Sequence, residues 1–156
     1  LMIQGDHGPV AFRNVSYLLT SDLKLEVSPV SYKAYKGSFK EIAEFTSLQP
    51  VKTGTTEKLT CEVLDDENDY GITYSGSITV PSDDTYEFVT VYTGGTVLQV
   101  NGKTLVDVQR GDAWQMDRGT MELKKGTYPF VIHNFKTASW APPRMALYIK
   151  TASTAM

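Results

Sequence analysis

Two tryptophans in the second half of the chain carry the side chains best suited to bind a ligand. Trp114 and Trp140 each lie in a segment rich in polar residues or proline, which predicts loops. An exposed indole stacks on the apolar face of a sugar, and Asp112 and Gln115 can bond its hydroxyl groups. With Tyr92 these residues form a candidate carbohydrate-binding set. The alternative is that both indoles cap the core, because tryptophan is highly buried on average.

The remaining reactive residues form no recognisable catalytic arrangement. The acidic run at residues 65–69 does not match the offsets of an EF-hand loop and is expected to be a solvated loop. His7 beside Asp6 is typical of a turn, and His133 stands alone in a predicted strand. The sequence contains neither the Gly-x-Ser-x-Gly elbow nor a phosphate-binding loop. We therefore expect no catalysis, no metal and no cofactor in this chain.

Charge and cysteine content exclude several classes of function. The 156 residues have a formal net charge of −3, with acids and bases interspersed and no Lys/Arg cluster in the sequence to neutralise phosphates, so we expect no binding to nucleic acid. The longest apolar runs are far shorter than the roughly 20 residues of a membrane-spanning helix. A single cysteine, Cys61, excludes an internal disulfide and a cysteine-based metal site.

Alternating apolar and polar residues predict that most of the chain is β-strand. In residues 72–80, apolar residues and glycine at the even positions alternate with Thr and Ser, a period of two typical of a half-buried strand. The next strand, residues 85–92, carries Tyr86, Phe88 and Tyr92 on one face. This alternation therefore predicts strands that each bury one face.

Turn signals separate these strands at regular intervals. The glycines of residues 93–95 and the Asn-Gly pair at 101–102 predict turns, the second a two-residue hairpin of type I′. Residues 46–58 and 109–117 are predicted to be loops, and residues 32–45 to contain one helical turn. Short strands separated in this way favour a two-sheet sandwich or a closed barrel.

Several motifs together resemble the protective-antigen N-terminal (PA14-like) domain family. The motifs, in chain order, are YSGSITVP at 74–81, TYEF at 85–88, LQVNGK at 98–103 and LKKGTYP at 123–129. The resemblance covers about residues 24–150 and rests on the order of the motifs. It implies an all-β, antiparallel two-sheet β-sandwich of jelly-roll-like form that often binds carbohydrate and accompanies glycosidases, adhesins and toxins.

The same resemblance bears on calcium. In the sugar-binding members, consecutive aspartates after the Tyr-x-Phe strand hold a calcium ion that chelates sugar hydroxyls. This chain carries Thr93 and Gly94 at those positions. Neither side chain replaces a carboxylate, and calcium requires hard oxygen ligands. We expect the calcium-dependent site of the family to be absent.

The N-terminal segment carries a second resemblance. The run IQGDHGPVAFRNV at residues 3–15 is similar to the end of a glucanase-like jelly-roll (keto-disaccharide hydrolase) family. We therefore expect residues 1–22 to be the terminal strand of a preceding jelly-roll domain, and residues 23–156 to be the β-sandwich domain. The chain is expected to be a fragment of a longer protein.

These observations predict a non-catalytic, carbohydrate-associated module of an exported bacterial glycan-processing protein, located in the periplasm, on the cell surface or outside the cell. Its expected partners are a polysaccharide or oligosaccharide and the upstream jelly-roll domain. Two alternatives remain open. The chain could be a structural part of a glycoside hydrolase whose catalytic domain lies upstream, or a protein–protein adhesion domain.

Overall fold

A computed structural model describes residues 26–27, 29–59, 61–64, 69–110, 114–137 and 141–151 of the chain. Strands and helices follow in the order β1 (Glu26–Val27), β2 (Val30–Lys36), α1 (Ala43–Thr46), β3 (Lys52–Thr56), a 3-10 turn (Cys61–Leu64), β4 (Tyr70–Val80), β5 (Asp84–Thr93), β6 (Gly95–Val100), β7 (Lys103–Val108), β8 (Trp114–Leu123), β9 (Gly126–Lys136) and β10 (Met145–Thr151). The segment 1–22, predicted to belong to a preceding domain, lies outside the described residues. None of the described helices is long and apolar enough to cross a bilayer.

The described strands form two antiparallel sheets. The larger sheet has the order β3-β2-β4-β9-β6-β7, with β1 also paired to β4, and the smaller sheet has the order β10-β5-β8. Side chains from both sheets fill one core; it includes Ile72, Tyr74 and Ile132 from the larger sheet and Phe88 and Ile149 from the smaller one. This arrangement confirms the expected all-β, antiparallel two-sheet sandwich.

Several local predictions are confirmed as well. In β4 every second side chain from Tyr70 to Tyr74 is fully buried, and so are Ile78 and Val80, while the intervening Thr and Ser residues are partly exposed. Asn101 and Gly102 have φ values of 50° and 76°, as a type I′ hairpin requires. The single expected helical turn is α1.

Two segments that were predicted to be loops form strands instead. β3 lies inside residues 46–58, and β8 begins inside residues 109–117. β3 is exposed along its whole length apart from one partly buried residue, so it carries no period-two apolar signal that sequence could reveal. Its backbone pairs with β2, and that of β8 pairs with β5. Hydrogen bonding to a neighbouring strand, and not side-chain pattern, makes these segments extended.

A second, smaller core lies on the outer face of the larger sheet, beneath α1. Phe45 of α1 is fully buried, with its ring centroid 5.2 Å from that of Tyr35, 5.1 Å from Phe39 and 6.3 Å from Phe135. Gly71 lies between Tyr35 and Phe135 in the sheet. A Cβ atom at position 71 would lie 2.6 Å from the Phe45 ring, so only glycine leaves room for it.

We expect Phe45→Ala to lower the free energy of unfolding by about 3–5 kcal/mol, because it removes the central ring of this cluster and leaves a cavity. Leu48→Ala, two residues after α1, is the matched control: Leu48 is 49% exposed and its truncation should cost less than about 0.5 kcal/mol. Urea unfolding of both variants measures the difference. Equal losses would contradict the assignment of Phe45 as the anchor of α1.

Candidate functional site

Trp114 is the first residue of β8 and lies at one end of the smaller sheet. Its backbone is opposite Thr93 of β5, and its side chain is 49% exposed. The prediction that Trp114 lies in a loop is therefore wrong, but its exposure agrees with a binding role and not with a cap on the core.

The indole belongs to a row of side chains on the outer face of the smaller sheet. Alternate residues of a strand point to the same face, so Met116 and Arg118 follow Trp114 along β8. Met116 is 45% exposed. Across β5, Tyr148 of β10 and Arg118 flank Val89. We call this surface the Trp114 face; it comprises Trp114, Met116, Arg118, Arg144, Tyr148, Lys150 and Glu87.

Charged groups are arranged in a defined order on the Trp114 face. The Arg144 guanidinium carbon lies 6.0 Å from the centroid of the Trp114 ring, within cation–π distance. Lys150 Nζ lies 2.7 Å from Glu87 Oε2, and Arg118 approaches the other oxygen of Glu87 at 3.5 Å. The hydrogen bond from Lys150 holds the pKa of the Glu87 carboxyl below its usual value. The Glu87 carboxyl is therefore ionised at neutral pH.

The other predicted site residues are placed differently. Gln115 points to the opposite side of β8 from Trp114, and its Nε2 donates to the carbonyl oxygens of Gly94 at 3.3 Å and Arg110 at 3.5 Å. Gln115 therefore supports the turn after β5. Asp112 and Trp140 lie outside the described residues.

Tyr92 is not available to a ligand. Its side chain is fully buried, and its hydroxyl donates a 2.6 Å hydrogen bond to Asp117 Oδ2. Burial raises the pKa of this hydroxyl, and the hydrogen bond to Asp117 raises it further. Tyr92 therefore cannot contact sugar, contrary to the expectation, because it lies on the inward face of β5 with its ring in the core.

Sequence reasoning missed Asn134 of β9, which organises the turn between β5 and β6. Its Nδ2 donates to the carbonyl oxygens of Thr93 at 3.1 Å and Gly95 at 2.8 Å, and its Oδ1 accepts from the Tyr70 hydroxyl at 2.9 Å. Asn134 is fully buried. An asparagine at an otherwise apolar, inward position of a predicted strand is the signal that could have identified it.

Thr93 and Gly94, which occupy the positions of the aspartates that bind calcium in the family, are both buried. The Thr93 hydroxyl donates to the Pro142 carbonyl oxygen at 2.9 Å, and the Thr93 amide donates to Arg144 O, also at 2.9 Å. Gly94 has φ of 88°. A Cβ atom there would lie 2.1 Å from the carbonyl oxygen of Phe135. The turn therefore requires glycine at this position.

The other reactive groups are occupied by structural contacts. Burial raises the pKa of Cys61 to about 11, so its thiol is protonated, and it contacts the Tyr70 hydroxyl at 3.6 Å. His133 Nδ1 is 2.8 Å from the Thr73 hydroxyl, and burial lowers the pKa of its imidazole. Within the described ranges, no group of three or more His, Cys, Asp or Glu residues is placed to hold a metal ion.

Comparisons with known proteins agree with this architecture. The family model described as PA14 domain matches residues 36–154. No curated protein matches the chain in sequence. The PA14 sugar-binding domain of an RTX adhesin superposes with a TM-score of 0.67 at 13% identity, covering 83% of this chain and 93% of that domain.

Two further solved structures share the fold at low identity. The epithelial adhesin 6 A domain of Candida glabrata, in complex with Galβ1-3GlcNAc, has a TM-score of 0.60 at 12% identity and covers 83% of each chain. The β-glucosidase of Kluyveromyces marxianus has a TM-score of 0.61 at 14% identity over 79% of this chain. The present chain spans 17% of the length of that enzyme.

Alanine substitutions at two glycines with positive φ, Gly94 and Gly102, measure how tightly the turn after β5 is packed. We expect Gly94→Ala to destabilise the protein by about 3–5 kcal/mol, because it adds a backbone clash to the cost of a left-handed conformation. Gly102→Ala is the matched control, since Gly102 also has positive φ but has nothing within 4 Å of its added Cβ. It should lose only about 1–2 kcal/mol. Equal losses in thermal unfolding would show that the contact with Phe135 is relieved without cost.

Proposed function

The chain belongs to the PA14 domain family, and from this premise we propose that it is a non-catalytic carbohydrate-associated module that binds glycan on the Trp114 face without calcium. The observation that carries the proposal is the half-exposed indole of Trp114, which is held on a strand of the smaller sheet. Its parent would be an exported bacterial glycan-processing protein, in which the module binds substrate or positions a catalytic domain.

The named relatives support the carbohydrate assignment at the level of the fold. Those relatives include a sugar-binding adhesin domain, a yeast adhesin domain in complex with a disaccharide, and a domain within a β-glucosidase. Because fold does not determine function, the assignment for this chain depends on its own side chains. Trp114 offers a flat apolar surface, and the neighbouring Arg118 and Arg144 offer hydrogen-bond donors for oxygen atoms.

The geometry of the turn after β5 supports calcium independence. A calcium ion needs several oxygen ligands, with carboxylates to supply charge. Here the carbonyl oxygens of Thr93 and Gly95 accept bonds from Asn134, and that of Gly94 accepts one from Gln115. An aspartate cannot be accommodated at position 94. The residues present do not fit a calcium ion. The side-chain amides of Asn134 and Gln115 hold the turn instead.

Calcium should leave the stability of the chain unchanged. A ligand that binds only the folded state raises the unfolding midpoint in proportion to the logarithm of its concentration. We expect the same midpoint in millimolar calcium and in chelator. The sugar-binding adhesin domain measured in parallel is the comparison protein. A calcium-dependent rise for the present chain would contradict the proposed calcium independence.

A panel of plant and bacterial polysaccharides is first screened to find a glycan that the chain binds. Trp114→Ala should then weaken the affinity for that glycan by roughly thirtyfold or more, as loss of a central aromatic contact does. Leu48→Ala is the control, because Leu48 has the same 49% exposure but lies near β3. Isothermal titration measures both affinities. Binding to a protein partner and to no glycan would favour the adhesion alternative, and activity only in a longer chain with the upstream domain would favour the hydrolase alternative.

A further inference from the structure

The Trp114 face has a charge opposite in sign to that of the whole chain. The formal net charge is −3. Among the described residues on this side of the smaller sheet, the three cations Arg118, Arg144 and Lys150 accompany two carboxylates, Glu87 beside them and Glu122 at the far end of β8. Asp117, which lies between Met116 and Arg118 in sequence, points to the other side of β8 and accepts a bond from Tyr92. The excess of positive charge is therefore local to the surface that carries the exposed indole.

Two of these cations retain donors for a ligand. Lys150 makes a close ion pair with Glu87 at 2.7 Å. Arg118 reaches the same carboxylate only at 3.5 Å and keeps 57% of its side chain exposed. No carboxylate of the described residues lies within ion-pair distance of Arg144, which is exposed and lies over the Trp114 ring. A guanidinium presents five donors in a planar fork that matches a carboxylate.

The arginines and the indole are spaced for an extended ligand. Trp114 and Arg118 are four residues apart on one strand, which separates their Cα atoms by about 13 Å. Met116 lies between them on the same face. A ligand that stacks on the indole and also reaches Arg118 therefore has to run along β8, which a polymer can do and a single sugar cannot.

We propose that the Trp114 face recognises an acidic polysaccharide whose sugars carry carboxylate groups, a polyuronate, with one sugar ring on Trp114 and successive carboxylates at Arg144 and Arg118. This inference rests on the proposed function and narrows its ligand class. The arginine forks supply the selectivity for the carboxylate. The indole supplies the selectivity for an acidic polysaccharide over a polyanion that has no sugar rings.

Four polymers separate these contributions when titrated against the intact 156-residue chain. They are polygalacturonate, the same polymer fully methyl-esterified, polyglutamate and dextran sulfate. We expect polygalacturonate to bind at least tenfold more tightly than each of the others. Binding should weaken as sodium chloride is raised from 50 to 500 mM, because salt screens exposed charges.

Arg144→Gln and Arg118→Gln should each weaken polygalacturonate binding roughly tenfold, the loss of one charge-assisted contact. Lys33→Gln is the matched control, because Lys33 is an exposed cation on the larger sheet and its loss changes the net charge equally. Trp114→Ala should weaken binding of polygalacturonate and leave that of polyglutamate unchanged. Unfolding midpoints within a degree of the parent chain confirm that each variant is folded.

The possible outcomes distinguish the two proposals. Equal affinity for polygalacturonate and its methyl ester, lost in Trp114→Ala, would overturn the charge inference and leave the proposed function standing. Equal affinity for all three polyanions would overturn the inference, since the indole would then contribute nothing. Binding to no polysaccharide would overturn both.

Discussion

The structure depends on how the chain passes from one sheet to the other between β5 and β6. Thr93 ends a strand of the smaller sheet and Gly95 begins a strand of the larger one, so a single residue, Gly94, joins them. Such a tight crossing leaves backbone carbonyl groups buried, and each needs a donor. The side-chain amide of Asn134 supplies donors for two of them, and Gln115 supplies one for the third. Because Asn134 belongs to the central strand β9, these bonds tie the crossing to the middle of the larger sheet.

The same crossing positions the Trp114 face. Thr93 is paired with Trp114 in β8, and its amide donates to the carbonyl oxygen of Arg144 just before β10. The indole and the guanidinium 6.0 Å from it therefore come from two segments that both adjoin one residue, Thr93. In the proposed glycan complex, a surface held in this way needs little reorganisation, which lowers the entropic cost of binding. The hydrogen bonds of Asn134 and Gln115 hold the turn at this end of the sandwich.

Much of the fold could be predicted from sequence because the buried side chains of a strand recur at every second residue, and this period is visible in the sequence. The period of two in residues 72–80 and the shared face of Tyr86, Phe88 and Tyr92 could be read directly, and the structure shows that these side chains on the shared face point into the core. The order of short motifs was sufficient to indicate the family. The site was predicted less well. Trp114 was singled out by residue type, but Tyr92 was placed in the same set because a strand pattern does not reveal which face meets the core.

What the sequence determined by itself was the local pattern: strands with one apolar face, a type I′ hairpin at Asn101 and an aromatic residue suited to a ligand. What only the tertiary structure decided was which segments share a surface. The pairing of β8 with β5 and of β5 with β10 brings Arg118, Glu87 and Lys150 together, although they are as much as 63 residues apart in the chain. Backbone hydrogen bonds hold these strands together, and the bonds are alike for every pair of strands, so no local pattern shows which distant strands become neighbours. For the same reason the role of Asn134 was visible only once its three partners had been brought around it.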